Sequence, residues 1–490
     1  MLFIGIDLGT SAVKLLLMDE NGKIRKIVSK EYPLNFPKPG WSEQNPEDWY
    51  QQSIAAIKEL IADSKKEEVA GISFGGQMHG LVILDEQDQV IRPAILWNDG
   101  RTTKETDYLN EVIGKENLSA YTANIAFTGF TAPKLLWLKE KEPENFAKIK
   151  KIMLPKDYLL YRLSGVHATD YSDASGMLLL DVKNRCWSKK MLEICEISEG
   201  MLPKLFESYE VVGTIKKELA WELGISEKVK IIAGAGDNAA AAVGTGTVGN
   251  HHCNISLGTS GTIFISSKNF CVDNYNALHS FAHADGHYHL MACMLSAASC
   301  NKWWIEDILK SDSYEKEQSE IVTLGENKVF YLPYLMGERS PYNDPFARAL
   351  FIGMTMDTER FAMTQAVMEG VTFALRDSLE IAKSLGISIE RTKICGGGAK
   401  SILWKKIVTN VLNLKVDTVE SEEGPGYGAA ILAAVGCGVC SNVEEAANKF
   451  VKVKDTIEPE QELAEKYEQR YQKFCKIYPT VKTLYRFLEE

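Results

Sequence analysis

Leu2-Phe3-Ile4-Gly5-Ile6-Asp7-Leu8-Gly9-Thr10-Ser11-Ala12-Val13 stands at the start of the chain, and its tetrapeptide Leu8-Gly9-Thr10-Ser11 recurs as Leu257-Gly258-Thr259-Ser260 about half the chain length later. Each copy ends an apolar, β-branched run (3–6 and 253–255) and is followed by another apolar run. A glycine between two such runs can take φ > 0 and close a tight hairpin, with Thr and Ser hydroxyls and backbone N–H groups exposed at its tip. Two donor-rich tips facing each other would grip a polyphosphate from both sides. The flanks match as well as the tips, which points to an internal duplication.

Outward from the two hairpins, strands come first and helices follow, in two rounds. In the first, 2–7, 13–19 and 24–32 read as a meander, with Glu20-Asn21-Gly22 as a turn. Asn45-Pro46-Glu47-Asp48 then offers a cap, a proline at the first helical position and early acids, which predicts a helix to about residue 63. Strands are expected at 69–74, 81–85 and 90–97, and helices at 102–113, 132–141, 156–163 and 188–195. In the second round, strands at 253–256, 262–267 and 287–291 precede helices at 296–309 and 358–385, and a last βα step runs from 393 through Gly396-Gly397-Gly398 into a helix at 402–412. Two similar α/β domains, 1–248 and 249–490, with a cleft between them are the economical architecture.

The glycine-rich stretches need separating. Gly234-Ala-Gly236-Asp237-Asn-Ala239 and Gly244-Thr-Gly246-Thr-Val-Gly249 both satisfy the spacing of a dinucleotide fingerprint. Context excludes it: Asp237 would face the pyrophosphate, no acidic residue follows at the right distance, and the second stretch precedes a strand. There is no Walker A loop either, which excludes a P-loop kinase.

With 490 residues, 45% hydrophobic and 25% charged, the composition is that of a globular protein with ample core. The net charge of −11, without a long Lys/Arg run, argues against a nucleic-acid partner. No leader-like start and no apolar stretch of membrane-spanning length is visible, so neither secretion nor a membrane partner is expected, and the cytoplasm is. Ten cysteines are scattered mostly in apolar segments, and of these only Cys437 and Cys440 have CxxC spacing, with no second pair to complete a zinc site. His279, His283, His287 and His289 lie in an alternating, hairpin-like segment that would spread the rings over two faces, which favours structural or substrate-adjacent roles over a metal site.

What remains is a pair of carboxylates. Asp237 sits on a loop after a strand at 229–233, flanked by glycines that let a ligand approach, and Asp7 ends the first strand just before the first hairpin. Two acids with two phosphate-gripping hairpins suit phosphoryl transfer from a nucleotide: one carboxylate holds Mg²⁺ or its water shell, the other accepts the proton of an attacking hydroxyl.

The set Ile4-Gly-Ile-Asp7-Leu-Gly-Thr-Ser11, Gly236-Asp237-Asn238-Ala-Ala, Leu257-Gly-Thr-Ser-Gly261, Gly337-Glu-Arg-Ser-Pro341 and Gly396-Gly-Gly-Ala399 resembles the FGGY carbohydrate kinases of the actin-like (ribonuclease H-like) ATPase superfamily. Gly76-Gln77-Met78-His79-Gly80, Trp97-Asn-Asp-Gly-Arg101, Gly129-Phe-Thr-Ala-Pro-Lys134, Leu154-Pro-Lys-Asp-Tyr158 and Met294-Leu-Ser-Ala-Ala-Ser299 resemble its ketopentose-specific members, from residue 1 to about 436. The resemblance implies two actin-like domains around a catalytic cleft and ATP-dependent phosphorylation of D-xylulose to D-xylulose 5-phosphate, with ribulose, gluconate or another polyol as the alternative acceptor. It implies Asp237 as catalytic base, and Asp7 as the second catalytic acid, near Mg²⁺. Gly9, Thr10 and Ser11 would meet the outer phosphates, Gly258, Thr259 and Ser260 the phosphates from the second domain, and Gly397, Gly398 and Ala399 the adenosine. Met78 and His79 would bind the ketose, with Gln77 and Asn238 nearby. By residue type Trp97 or Trp41 would suit an apolar wall, with plain core packing an equal reading for Trp41. A homodimer is implied as well. The segment after 442 reads as a solvated helix packed on the second domain.

Overall fold

The computed structural model describes residues 1–421 and 423–488. Two mixed sheets carry the architecture, and their order is the same. In the first, Ile24–Glu31, Ala12–Asp19, Leu2–Leu8, Val69–Gly76, Lys230–Ile232 and Val211–Thr214 lie side by side, paired antiparallel, antiparallel, parallel, parallel and antiparallel. In the second, Tyr288–Met294, Gly261–Ser267, His252–Leu257, Arg391–Cys395, Lys415–Val419 and Val453–Ile457 repeat that sequence of pairings, with His279–Ala282 added outside. The duplication expected from the two tetrapeptides is thus a duplication of whole actin-like α/β domains.

Both hairpins have three-residue tips, 9–11 and 258–260, placed where a strand buried on both faces turns back on itself. Between the parallel strands of each sheet the chain makes long excursions, 77–229 and 268–390, that build helical layers over the sheet edges. Local signals hold at some helix starts. Asn45 caps Pro46–Leu60 by accepting from the Glu47 amide, and Ser401 caps Ile402–Leu412 by accepting from Trp404. The expected strand at 90–97 is reduced to Ala94–Ile95, because Pro93 cannot donate to a ladder. The expected helix at 102–113 instead continues in short segments to Thr122.

The helix Gly424–Gly436 lies in sequence between the last two strands of the second sheet, Lys415–Val419 and Val453–Ile457, but packs on the first, against Leu2–Leu8 and Val69–Gly76, and crosses Asp237–Gly244. The crossing is backbone to backbone: a Cβ on Gly428 would stand 1.8 Å from the Ala240 carbonyl oxygen. These two helices lead out of the last parallel strand of each sheet, so the two halves meet through them. The tail is less solvated than its composition suggests. Tyr467, Arg470 and Tyr471 of Gln461–Phe474 are buried against the second half, and Arg470 pairs with buried Glu369 at 2.7 Å.

Candidate active site

Asp7, near the end of Leu2–Leu8, and Asp237, directly after Ala235–Gly236, stand on either side of the strand Val69–Gly76, where Leu8 lies opposite Gly76 and Gly76 opposite Gly236. Parallel register therefore brings together two acids that are far apart in sequence. Burial raises the Asp7 carboxyl to about 7, with the charge of Asp237 adding to it, and burial lifts Asp237 to about 6 against the Asn238 amide, which favours its charged form. Asp7 accepts no hydrogen bond from the described residues, and Lys14 is the cation that acts on it.

The two hairpin tips are built alike. In the first, the Gly9 carbonyl accepts from the Tyr32 hydroxyl (2.5 Å) and the Thr10 carbonyl from Gln44 Nε2 (2.6 Å). In the second, Gly258 accepts from the Ala298 amide (2.8 Å) and Thr259 from Ala297 (3.0 Å) and from Ser299 Oγ (2.7 Å). In both tips the carbonyls are turned back into protein. The amides of Thr10, Ser11, Gly258, Thr259 and Ser260 donate to no protein acceptor among the described residues. Rows of N–H groups left without partners form an anion-binding concavity.

Behind the second hairpin a cavity of about 1190 Å³ is lined by Gly258, Thr259, Gly397, Gly398, Tyr314, Gln318 and Trp404, among others. Gly397 has open space where a side chain would be, while Gly396, at φ 89°, presses on the Leu257 carbonyl. Ala399 does not line this cavity; it packs against the second-half core. Tyr314, and Gln318 with its bond to Ser401 Oγ (2.7 Å), had no sequence signal.

Met78 packs on the residues either side of Asp237, and His79 follows it in the chain. The Met78 sulfur is 3.9 Å from Asn238 Nδ2 and would be 3.0 Å from a Cβ on Gly236. His79 has φ 67°, and its carbonyl is held by Lys134 Nζ (2.8 Å) and Thr131 Oγ1 (3.0 Å). Its ring stacks on Phe130 at 4.5 Å. Burial pulls the imidazole down to about 3, so it is neutral. Nδ1 lies 2.7 Å from the Gly176 carbonyl, which can only accept, so Nδ1 carries the proton and Nε2 is left as an acceptor. Gln77 serves the first hairpin instead: its amide N–H donates to Leu8 C=O (2.8 Å) and its Nε2 to Gln44 Oε1 (3.1 Å). Phe127 packs in turn on Phe130, with ring centres 5.4 Å apart. Trp41 is packed on Trp137 under the Arg101 guanidinium, and Trp97 donates to Thr10 Oγ1 at 3.0 Å.

A fully buried charge cluster lies behind Asp237. Lys156 Nζ is 2.6 Å from Asp157, 2.9 Å from Asp170 and 3.6 Å from Asp173. Asp170 Oδ2 accepts from Ser172 Oγ (2.5 Å), which in turn accepts from the Gly236 amide (3.2 Å). The residue preceding the candidate base is thus tied to a buried ion network. Neither this cluster nor Phe130 could be assigned a role from sequence alone, although Phe130, Lys156 and Asp157 lie in the motifs quoted above.

Comparison with known proteins follows this geometry. The model of the FGGY family of carbohydrate kinases, N-terminal domain, matches residues 2–244, and the C-terminal domain matches 253–437. Xylulose kinase of Bacillus subtilis (strain 168) is 40% identical over 486 residues, covering 98% of this chain and 97% of its own. The crystal structure of a "xyloylose kinase" from Brucella ovis superposes with a TM-score of 0.94 at 39% identity, covering 99% of this chain and 100% of that one. A gluconate kinase from Lactobacillus acidophilus also reaches 0.94, at 28% identity and 99% coverage of both chains. With one family model on each half of the duplicated fold and full-length likeness to sugar kinases, the chain belongs to the FGGY family of carbohydrate kinases and is a sugar kinase that uses ATP.

Proposed function

We propose that the enzyme transfers the γ-phosphoryl group of ATP to the 5-hydroxyl of D-xylulose. Asp237 is the general base: the hydroxyl proton moves to its carboxylate, the sugar oxygen bonds to the γ-phosphorus, and the bond from that phosphorus to the β-phosphate oxygen breaks to release ADP. His79, with Nε2 free to accept from a sugar hydroxyl, and Met78 orient the ketose; Asn238 steadies the base, and Gln77 braces the first hairpin. The free amides of 10–11 and 258–260, with Gly9, hold the phosphates, and Gly397 and Gly398 border the adenosine; Ala399 supports that loop from the core.

Asp7 is the residue that would hold Mg²⁺, directly or through water. Its carboxylate has no hydrogen-bond donor among the described residues and is raised by burial and then by the charge of Asp237, both of which a cation would offset. Among the described residues no group of three His, Cys, Asp or Glu could hold an ion, which fits an ion carried mainly by the nucleotide's phosphates and water. When bound, the ion supplies neutralisation of the outer phosphates.

The observation that carries the reading is the packing of Met78, the neighbour of His79, against Gly236 and Asn238 on either side of Asp237, in a fold with two amide-lined tips; a nucleotide-driven filament or chaperone has no use for that sugar-sized arrangement. We further propose a cytoplasmic homodimer whose halves divide between 248 and 249. No helix among the described residues is long and apolar enough to cross a membrane. The test is coupled ADP release on D-xylulose, D-ribulose, D-gluconate and glycerol. The expected result is the highest kcat/KM on D-xylulose; a higher value on any other acceptor contradicts the assignment.

A further inference from the structure

The motif Gly337-Glu-Arg-Ser-Pro341 has no task in the scheme above. It forms a loop of the second half along the end of strand Tyr288–Met294, and it is pinned on both sides of Arg339. The Ser340 amide donates to the Cys293 carbonyl (2.9 Å) and the Cys293 amide to Ser340 Oγ (3.1 Å). Buried Glu338 accepts the amides of Leu295 (3.1 Å) and Arg339 (2.8 Å) on one oxygen. Two anchors of this kind fix the backbone and leave Arg339 to project.

Its guanidinium carbon reaches to 4.7 Å from the ring centre of Phe127, which belongs to the first half. No carboxylate of the described residues lies within ion-pairing distance of it. Phe127 contacts Phe130, and Phe130 carries His79, so the cation faces the sugar-binding loop across the gap between the halves. A second side chain of the second half closes the ring: His279 is 5.1 Å from Phe127 and 5.7 Å from Phe130, buried, with no hydrogen bond to its ring nitrogens among the described residues. The charge of Arg339 is felt at His79, His279 and Cys293, and that of Asp237 at Cys293 as well. The half-exposed Arg339 guanidinium, with no carboxylate in contact, and the His279 ring, whose nitrogens bond to no described residue, are suited to a ligand rich in oxygen acceptors.

We propose that Arg339 is a substrate-positioning and specificity-determining residue: its N–H groups donate to oxygens at the C1–C2 end of the acceptor, away from Asp237, with His279 behind it. The assignment rests on the sugar-kinase reading and extends it, because an acceptor so held touches both halves and favours their approach. The same donor fork suits the C2 carbonyl of a ketose and the carboxylate of an aldonate, so D-xylulose and D-gluconate are the two probes.

The experiment is steady-state kinetics of Arg339→Met and Arg339→Lys beside the wild-type enzyme. For whichever probe the wild type phosphorylates, Arg339→Met should raise the acceptor KM about 10- to 100-fold. The ATP KM and Tm should stay at their wild-type values, and Arg339→Lys should recover part of the loss. Turnover by the wild type on either probe with an acceptor KM unchanged in Arg339→Met would overturn this assignment alone. A wild-type enzyme inactive on both probes would overturn the functional reading and the assignment with it.

Discussion

Both hydrogen bonds that Asn238 gives to Asp237 end on the same oxygen. The Asn238 amide lies 2.7 Å and its Nδ2 2.9 Å from Oδ1, and Oδ2 accepts nothing from the described residues. One oxygen is held and the other is available to a proton, which is the arrangement a general base needs. Because burial lifts Asp237 to about 6 and the base works only when ionised, kcat/KM for the sugar should be level above that pH and fall about tenfold per unit below it. In Asn238→Ala, loss of a bond to the charged form raises the carboxyl further, and the acid limb should move to higher pH. Asp7, at about 7 without a cation, is a separate case: a limb that shifts with Mg²⁺ concentration reports Asp7, and one that does not reports Asp237. A pH–rate profile at saturating ATP, with Mg²⁺ varied, checks both, and an Asn238→Ala limb identical to wild type would contradict the assignment.

His79 offers the sugar a neutral acceptor at all working pH values, since burial keeps its ring far below the ordinary imidazole range. His79→Ala should raise the sugar KM about tenfold, the loss of one buried hydrogen bond, and leave the ATP KM within about twofold. The loss should not vary between pH 6 and 8. An ATP KM that rises in parallel would show that the loop serves the nucleotide.

Lys156 is the cation shared by Asp157, Asp170 and Asp173, all fully buried. Lys156→Met leaves three acids without it. Breaking a buried pair from one side costs about 3–5 kcal/mol, so the urea midpoint should fall and the first half should unfold early. The double change Lys156→Met with Asp170→Asn should recover part of the loss. Wild-type stability in Lys156→Met would mean that the acids are already neutral.

Gly428→Ala tests the crossing of the two connecting helices. The new methyl would stand 1.8 Å from the Ala240 carbonyl oxygen, backbone that no rotamer change can move. Overpacking of this kind costs about 1–3 kcal/mol or more, and it falls where the halves meet. A Tm lower by several degrees together with reduced kcat is expected by thermal melting and turnover. An unchanged Tm would show that the helices separate freely.

The hairpins were legible because everything that makes them is local: an apolar strand, a glycine, a hydroxyl pair and another strand. Helix 402–412 was legible for the same reason, with its Ser401 cap. What sequence did not disclose depends on contacts between distant segments. Nothing near Gly424 says that its helix packs on the first sheet rather than the second. Lys156 and Asp170 become partners only once a helix and a strand are both buried. Trp41, read as a core residue or a sugar contact alike, packs on Trp137, while Phe130, without a signal of its own, stacks under His79 because the stretch ahead of the helix Thr131–Lys141 brings its ring there. Gln77, adjacent to Met78 in sequence, faces the first hairpin because alternate residues of an extended segment point to opposite sides.

The central claim is that Asp237 takes the proton of the attacking sugar hydroxyl, and Asp237→Asn addresses it with the least change of shape. ADP release should be followed with D-xylulose at saturation, alongside the equilibrium binding of ATP. The account predicts a kcat lower by about 10²- to 10⁴-fold with ATP affinity unchanged. A variant that keeps turnover within about threefold of wild type would contradict it.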